Sequence, residues 1–389
     1  MRCVTGSRRR HLEAGLERTH VGFADRGPGA TSETKDTCSM IDAPSQFQTP
    51  KPRRLIQPIM IVPAVLALVT IVSITTYVMN AGSDKTHAVS APVATPTASP
   101  PPRFDPDAGA ALPRNRVVAF YAVPDAAVTG PAHELTGAML ARLRQQASVY
   151  QRLDPAHPVL AGIDLVVSVP DRKPGPAGTY SHHVPAATID EYVEFCRKNN
   201  LLLFLDLNFG WSDPVAELNF FRPYLKLPFV HVAVDPEWMF PRHNGVPGVN
   251  LSNVRAADLN PLISAVARMP KEYQVPRKMF MIHQYRPDGD DLPDPYNPGA
   301  AIIADKRNLI NDSRVDVVIH VDSVGGWPGD IEMKTGQYAK WVDQGMQRFQ
   351  NFRYGGFKIF YQLESKNKLM TEEQVMALQP APMVITYGN

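Results

Sequence analysis

Residues 201–238 read LLLFLDLNFGWSDPVAELNFFRPYLKLPFVHVAVDPEW, a strand, a helical stretch and a second strand in under forty positions. Both strands are almost continuously apolar until an acid interrupts them near the end, at Asp206 and at Asp235 with Glu237. An unbroken apolar strand followed by a helical crossover belongs to a parallel sheet covered on its faces by helices. Side chains alternate across a strand. Leu203, Leu205 and Leu207 therefore share one face, and Val230, Val232 and Val234 share the matching one. Asp206 and Asn208, then His231, Asp235 and Glu237, fall on the opposite face.

The same unit recurs along the C-terminal 275 or so residues. Strand-like runs occur at 117–123, 159–169, 201–208, 229–235, 278–285, 315–322, 357–364 and 383–387. Helical stretches are expected at 134–150, 188–199, 213–226, 255–269, 300–312, 334–353 and 371–379. Eight strands alternating with helices over that length predict a (β/α)₈ TIM-type barrel over residues 114–389, in the α/β class. An open doubly wound sheet would show a glycine-rich phosphate turn after an early strand, and VVAFYAVPDAAVTG (117–130) has none.

In a barrel the outer face of each strand packs on helices, while the inner face can turn polar toward the C-terminal mouth. The outer positions predicted for the second strand are Ile163, Leu165 and Val167, leaving Asp164 and Ser168 inside. The sixth strand leaves His320 and Asp322 inside, and the seventh leaves Gln362 and Glu364. In the fifth, either His283 or Gln284 faces inward. Barrel active sites sit at this mouth. Clustered carboxyls raise one another's pKa, which lets a general acid and a base coexist at neutral pH. The expected catalytic set is Glu237, Glu364, Asp235 and Asp322. Asp206, Asn208, His283, Gln284, Gln362 and Tyr387 are expected to bind substrate, together with Trp211, Trp238 and Trp327 in loops after strands, whose rings suit the apolar faces of sugars. Asp164, His231 and His320 are expected to form a deeper hydrogen-bonded network, and Asp316 with Lys358 an ion pair on the barrel floor. No cofactor and no metal are called for. The remaining alternative is a divalent ion held by His231, His320, Asp206 and Asp322.

LLLFLDLNFGWSD, HVAVDPEW, MIHQY and HVDSVGG resemble segments of a group of secreted, mostly uncharacterised bacterial barrel proteins with a DPEW motif. More distantly, the domain is similar to glycoside hydrolase barrels. That resemblance implies a general acid/base at Glu237 and a nucleophile at Glu364, although Pro236 stands where those families carry asparagine; Asp322, from its own place at a strand end, is the reserve nucleophile. Asp235-Pro236-Glu237 is also similar to the D-x-E of barrels that cleave amino sugars or peptidoglycan with help from the substrate's acetamido group. The implied substrate is a carbohydrate polymer, either peptidoglycan or a surface glycan. The alternative is a glycan-binding surface protein without turnover.

Upstream of the barrel the chain has a different character. Residues 55–79, LIQPIMIVPAVLALVTIVSITTYVM, carry no charge and are long enough to span a hydrocarbon core of about 30 Å. They are expected to anchor the protein in the lipid bilayer. Lys51, Arg53 and Arg54 flank the segment, so the tail 1–54 is expected in the cytoplasm and the barrel outside. Met40 reads as an ordinary start before such an anchor, which would make residues 1–39 an extension. Residues 80–113 read as a proline-rich spacer. The near balance of 40 basic and 38 acidic residues argues against a nucleic-acid partner. Three cysteines at 3, 38 and 196 match neither a disulfide framework nor a zinc motif.

Overall fold

The computed structural model describes residues 103–285, 303–322, 326–366 and 368–389. Eight parallel strands close into a barrel: β1 (Arg116–Ala122), β2 (Val159–Pro170), β3 (Leu202–Leu207), β4 (Val230–Val234), β5 (Lys278–Gln284), β6 (Val315–Val321), β7 (Tyr354–Phe360) and β8 (Val384–Gly388). Each pairs with the next in sequence, and β8 closes on β1 through Val117 opposite Val384 and Phe120 opposite Tyr387. A bulge between Val166 and Ser168 shifts the register of β2 against β3.

The outer faces behave as alternation predicts. Ile163, Leu165, Val167, Leu203, Leu205, Leu207, Val230, Val232 and Val234 are fully buried in the layer between barrel and helices. The helices are α1 (Gly137–Leu153), α2 (Ala186–Asn199), α3 (Pro214–Phe220), α4 (Arg222–Leu225), α5 (Ala256–Tyr273), α6 (Asp330–Trp341) and α7 (Glu372–Met376). In α1, Met139, Leu143, Ala147 and Tyr150 repeat at helical spacing and form its buried stripe, while the Thr136 side chain accepts the Met139 N–H and caps the first turn.

Three expectations change. The helix expected at 300–312 does not form over its described part: Ile303–Ala304 pairs instead with Val254–Arg255, and a single 3₁₀ turn covers Lys306–Asn308. The helix expected at 334–353 is α6 followed by a π-helical segment, Val342–Phe349. The seventh strand begins at Tyr354 and ends at Phe360, so Gln362 and Glu364 lie beyond it. Its first half carries Gly355 and Gly356, which lower strand propensity in sequence yet are required in place. A Cβ at Gly356 would collide with the His320 ring, and one at Gly355 with the Tyr338 hydroxyl.

The folded unit also reaches back past the expected boundary at 114. Ala111 and Leu112 close the barrel floor, packed with Val117, Phe204, Ala233, Met279, Met281, Val318 and Val384. Arg277 clasps this plug by donating to the Leu112 carbonyl at 3.1 Å and by pairing with Asp107 and, at 2.9 Å, with Asp316. The floor partners of Asp316 are thus Arg277 and Arg353, and Lys358 lies elsewhere. The tail, the apolar span 55–79 and the spacer up to 102 lie outside the described residues. Among the described residues, no helix is long and apolar enough to cross a membrane.

Leu112 is 1% exposed. Leu112→Ala should cost about 2–5 kcal/mol of stability, because it leaves a cavity where the floor cannot collapse. Urea denaturation of the variant and the parent protein measures this directly.

Candidate active site

Inward positions of seven strands meet at the upper half of the barrel. β1 supplies Tyr121, β2 Asp164, β3 Asp206 and β5 His283; β7 supplies Lys358. Asp235 and Asp322 stand one residue past the ends of β4 and β6. Asp164, Asp206 and His283 are fully buried, and Asp235 and Asp322 nearly so. His283 is the inward residue of β5, since its neighbours on that parity, Met279 and Met281, line the barrel interior. Gln284 shares the outward parity of Phe280 and Ile282.

His283 is the hub. Its Nε2 lies 3.3 Å from Asp164 Oδ2 and 3.9 Å from Asp206 Oδ2, and its Nδ1 lies 3.4 Å from Asp322 Oδ2. Lys358 Nζ pairs with Asp322 at 3.1 Å and sits 3.6 Å from the centre of the Tyr121 ring. Four aspartates therefore share one ammonium and one imidazole. Among the described residues, no well-aligned hydrogen bond reaches either oxygen of Asp164 or Asp206, or Asp235 Oδ1.

That balance sets the protonation states. Burial, reinforced by Asp235 and Asp164, pushes the Asp206 carboxyl well above its usual range. Burial also raises Asp235; His283 opposes that shift, and Asp322 adds to it. For His283 burial favours the neutral ring, but Asp235, Asp164 and Asp322 outweigh it and raise the pKa. Lys358 follows the same pattern: the surrounding aspartates, Asp322 first, overcome the burial penalty and hold it charged.

Glu237 lies just past this cluster, in the 3₁₀ turn Pro236–Trp238 that follows β4. Proline at the first position of the turn fixes its backbone there. The carboxyl is 6% exposed. Burial first, then the charges of Asp235 and Asp322, push its pKa well above the usual value. Glu237 thus holds its proton to higher pH than an ordinary glutamate.

Glu364 is placed differently. It heads the turn after β7, with Oε1 paired to Lys334 of α6 and Oε2 accepting the Phe360 N–H at 3.1 Å. Lys334 also donates to the Lys358 carbonyl at 2.7 Å. Oε1 of Glu364 therefore ties the turn to α6, and Oε2 ties it back to the end of β7.

The expected substrate residues disperse. Asn208 is buried, and its backbone N–H donates to Ser168 Oγ at 3.0 Å. Trp211 stacks on His243 at 4.6 Å, leans on Tyr180 at 4.4 Å and donates its indole N–H to the Gly245 carbonyl, so it clamps loops together. Trp238 is half-buried beside Glu237, while Trp327 is 44% exposed. Gln362 is exposed, not inward. Tyr387 is a correction: it faces the helices, with its hydroxyl 2.6 Å from that of Tyr150 and its ring stacked on Tyr361 at 4.8 Å. In β8 its parity is that of Ile385, the outward one.

The deeper network divides as well. Asp164 belongs to the His283 cluster. His231 instead accepts the Met279 N–H at 3.1 Å, and His320 lies 3.2 Å from Thr386 Oγ1. Burial holds both rings far below the usual histidine pKa. Among the described residues, neither His231 nor His320 falls in a group of possible metal ligands.

Sequence reasoning missed Tyr121 and misplaced Lys358. Tyr121 lies in VVAFYAV, where both faces are apolar and parity leaves no contrast. Lys358 alternates with outward Phe357 and Ile359. That signal became readable only with the strand start at Tyr354. No protein-family model matches this chain, and no curated protein matches it.

The proton on Glu237 has a measurable consequence. The folded chain keeps it at pH values where the unfolded chain, with a glutamate near 4.5, has lost it. This contribution to stability is therefore complete below that value and is lost as pH rises. Relative to Glu237→Gln, the parent protein should lose up to roughly 1.4 kcal/mol per pH unit above it. Urea denaturation of both proteins between pH 4 and 8 reads the difference, and parallel curves would refute the assignment.

Proposed function

We propose that the protein is a membrane-anchored, extracytoplasmic glycoside hydrolase-like barrel that acts on a cell-wall or surface glycan. The observation that carries this reading is Glu237: a buried carboxyl just past β4, whose pKa is raised by burial and by the neighbouring Asp235 and Asp322. A glycosidic oxygen leaves only if it is protonated, and such a carboxyl is the group that supplies the proton.

In this reading Glu237 is the general acid and Asp235 keeps the proton on it. Asp322, ion-paired to Lys358, is the carboxylate set against the developing positive charge of the sugar. Asp322 takes this role ahead of Glu364 because it stands in the cluster with Asp235 and His283 and its charge reaches Glu237, whereas Glu364 is held by Lys334 and the Phe360 N–H. Trp238 and the exposed Trp327 offer faces for sugar rings. Anchoring through residues 55–79 and a proline-rich spacer would hold the mouth near an envelope polymer, either peptidoglycan or a surface glycan. The engaged state of Glu364 also favours one alternative, a mouth that binds glycan without cleaving it.

Incubation with purified peptidoglycan and a glycan panel, followed by mass spectrometry of released fragments, tests the proposal. Parent protein should release fragments, and Glu237→Gln should be slower by about 10²–10⁴-fold while still binding. Glycan binding by the parent protein with no fragments released would overturn catalysis and establish the binding reading.

A further inference from the structure

We propose that Asp164, Asp206 and His283 Nε2 form a binding site for one divalent first-row cation, Zn²⁺ or Mn²⁺, inside the barrel below Glu237. This inference is independent of the glycan reading and stands whether or not the mouth cleaves sugar.

Geometry supports it first. Nε2 lies 3.3 Å from Asp164 Oδ2 and 3.9 Å from Asp206 Oδ2, and one donor atom from each of the three residues falls within 4.8 Å of the others. Donors placed tetrahedrally around a cation at about 2.0–2.2 Å lie about 3.3–3.6 Å apart. The group thus needs only small adjustments. Each donor also stands on a barrel strand, β2, β3 or β5, whose backbone is hydrogen-bonded on both sides.

The second support is unmet valence. All four oxygens of Asp164 and Asp206 are buried, and among the described residues the one donor near them is His283 Nε2, 3.3 Å from Asp164 and 3.9 Å from Asp206 without closing a well-aligned hydrogen bond. Buried carboxylates are normally paired, richly hydrogen-bonded or bound to metal. The nearby ammonium of Lys358 is spent on Asp322 and the Tyr121 ring.

A third support is orientation. Asp322 lies 3.4 Å from His283 Nδ1 and is itself held by Lys358. A carboxylate at the far nitrogen is the usual partner of a metal-bound histidine; a closure of a few tenths of an ångström would let Asp322 take the Nδ1–H and leave the Nε2 lone pair for the ion. Here Nε2 faces Asp164 and Asp206. Two carboxylates with one imidazole suit Zn²⁺ or Mn²⁺ better than Ca²⁺, which prefers oxygen alone, or Cu⁺, which prefers sulfur. Three protein donors leave a coordination position for water or a substrate oxygen.

The competing account uses protons alone, with an imidazolium between Asp164 and Asp322 and a neutral Asp206. The two accounts separate on the full chain, purified tag-free in detergent without chelators. Elemental analysis should find about one Zn or Mn per chain. After chelation, calorimetric titration with ZnCl₂ or MnCl₂ should restore one site and raise the melting temperature. Asp206→Asn, and separately Asp164→Asn, should weaken that binding by at least about tenfold while circular dichroism shows a folded chain. If Asp164→Asn fails to fold, Asp206→Asn with His283→Gln gives the same readout. Absence of both stoichiometric ion and calorimetric binding would overturn the site, as would unchanged affinity in the Asp206→Asn protein.

Discussion

Closing eight strands into a barrel forces inward side chains into a space that water scarcely enters, and this chain places four aspartates there. Among the described residues, Asp164, Asp206, Asp235 and Asp322 converge on the His283 imidazole and the Lys358 ammonium. Like charges at such distances resist joint ionisation, and burial sharpens the conflict. The rest of the upper barrel answers that constraint. The carboxylates raise the pKa of His283 and Lys358 against the burial penalty, Asp206 and Glu237 are pushed toward their protonated forms, and Tyr121 lends its ring face to the lysine.

The lower barrel is built on the opposite principle. Its interior is filled by Val117, Phe204, Met279, Met281, Val318 and Val384, and Leu112 seals it from below. Charged groups at the floor are kept to its rim, where Arg277 satisfies Asp316, Asp107 and the Leu112 carbonyl together. An apolar, well-packed base gives the strands a fixed register. The polar groups above can then be held at defined distances although their mutual repulsion would favour spreading apart. His231 and His320 mediate between the two halves as neutral acceptors or donors, tied to Met279 and Thr386.

The barrel was legible because its evidence is local. Apolar alternation in LLLFLDLN and FVHVAVD, repeated eight times with helical stretches between, needs no knowledge of distant residues. The inward assignment of Asp164, Asp206, Asp235 and Asp322 followed from the same period of two. Where that signal was weak, the reading slipped. Gly355 and Gly356 hid the start of β7, which carried Gln362 and Glu364 into a strand they do not occupy and left Lys358 at the wrong level. Tyr387, expected to bind substrate, shares parity with Ile385 and so turns outward to Tyr150. The tryptophans were read by loop position alone, whereas Trp211 is consumed by His243, Tyr180 and the Gly245 carbonyl.

The amino-acid sequence by itself determined the class of fold and the face on which each strand residue stands, because side-chain direction in a strand depends only on the pleat. Only the tertiary structure decided which inward groups meet. Barrel closure and the bulge in β2 set the stagger between strands, and the stagger chooses neighbours. It brought His283 between Asp164, Asp206 and Asp322, gave Lys358 to Asp322, and gave Glu364 to Lys334. The physical reason is that a carboxylate's chemistry depends on the charges and donors within a few ångströms of it. Those neighbours come from strands far apart in sequence.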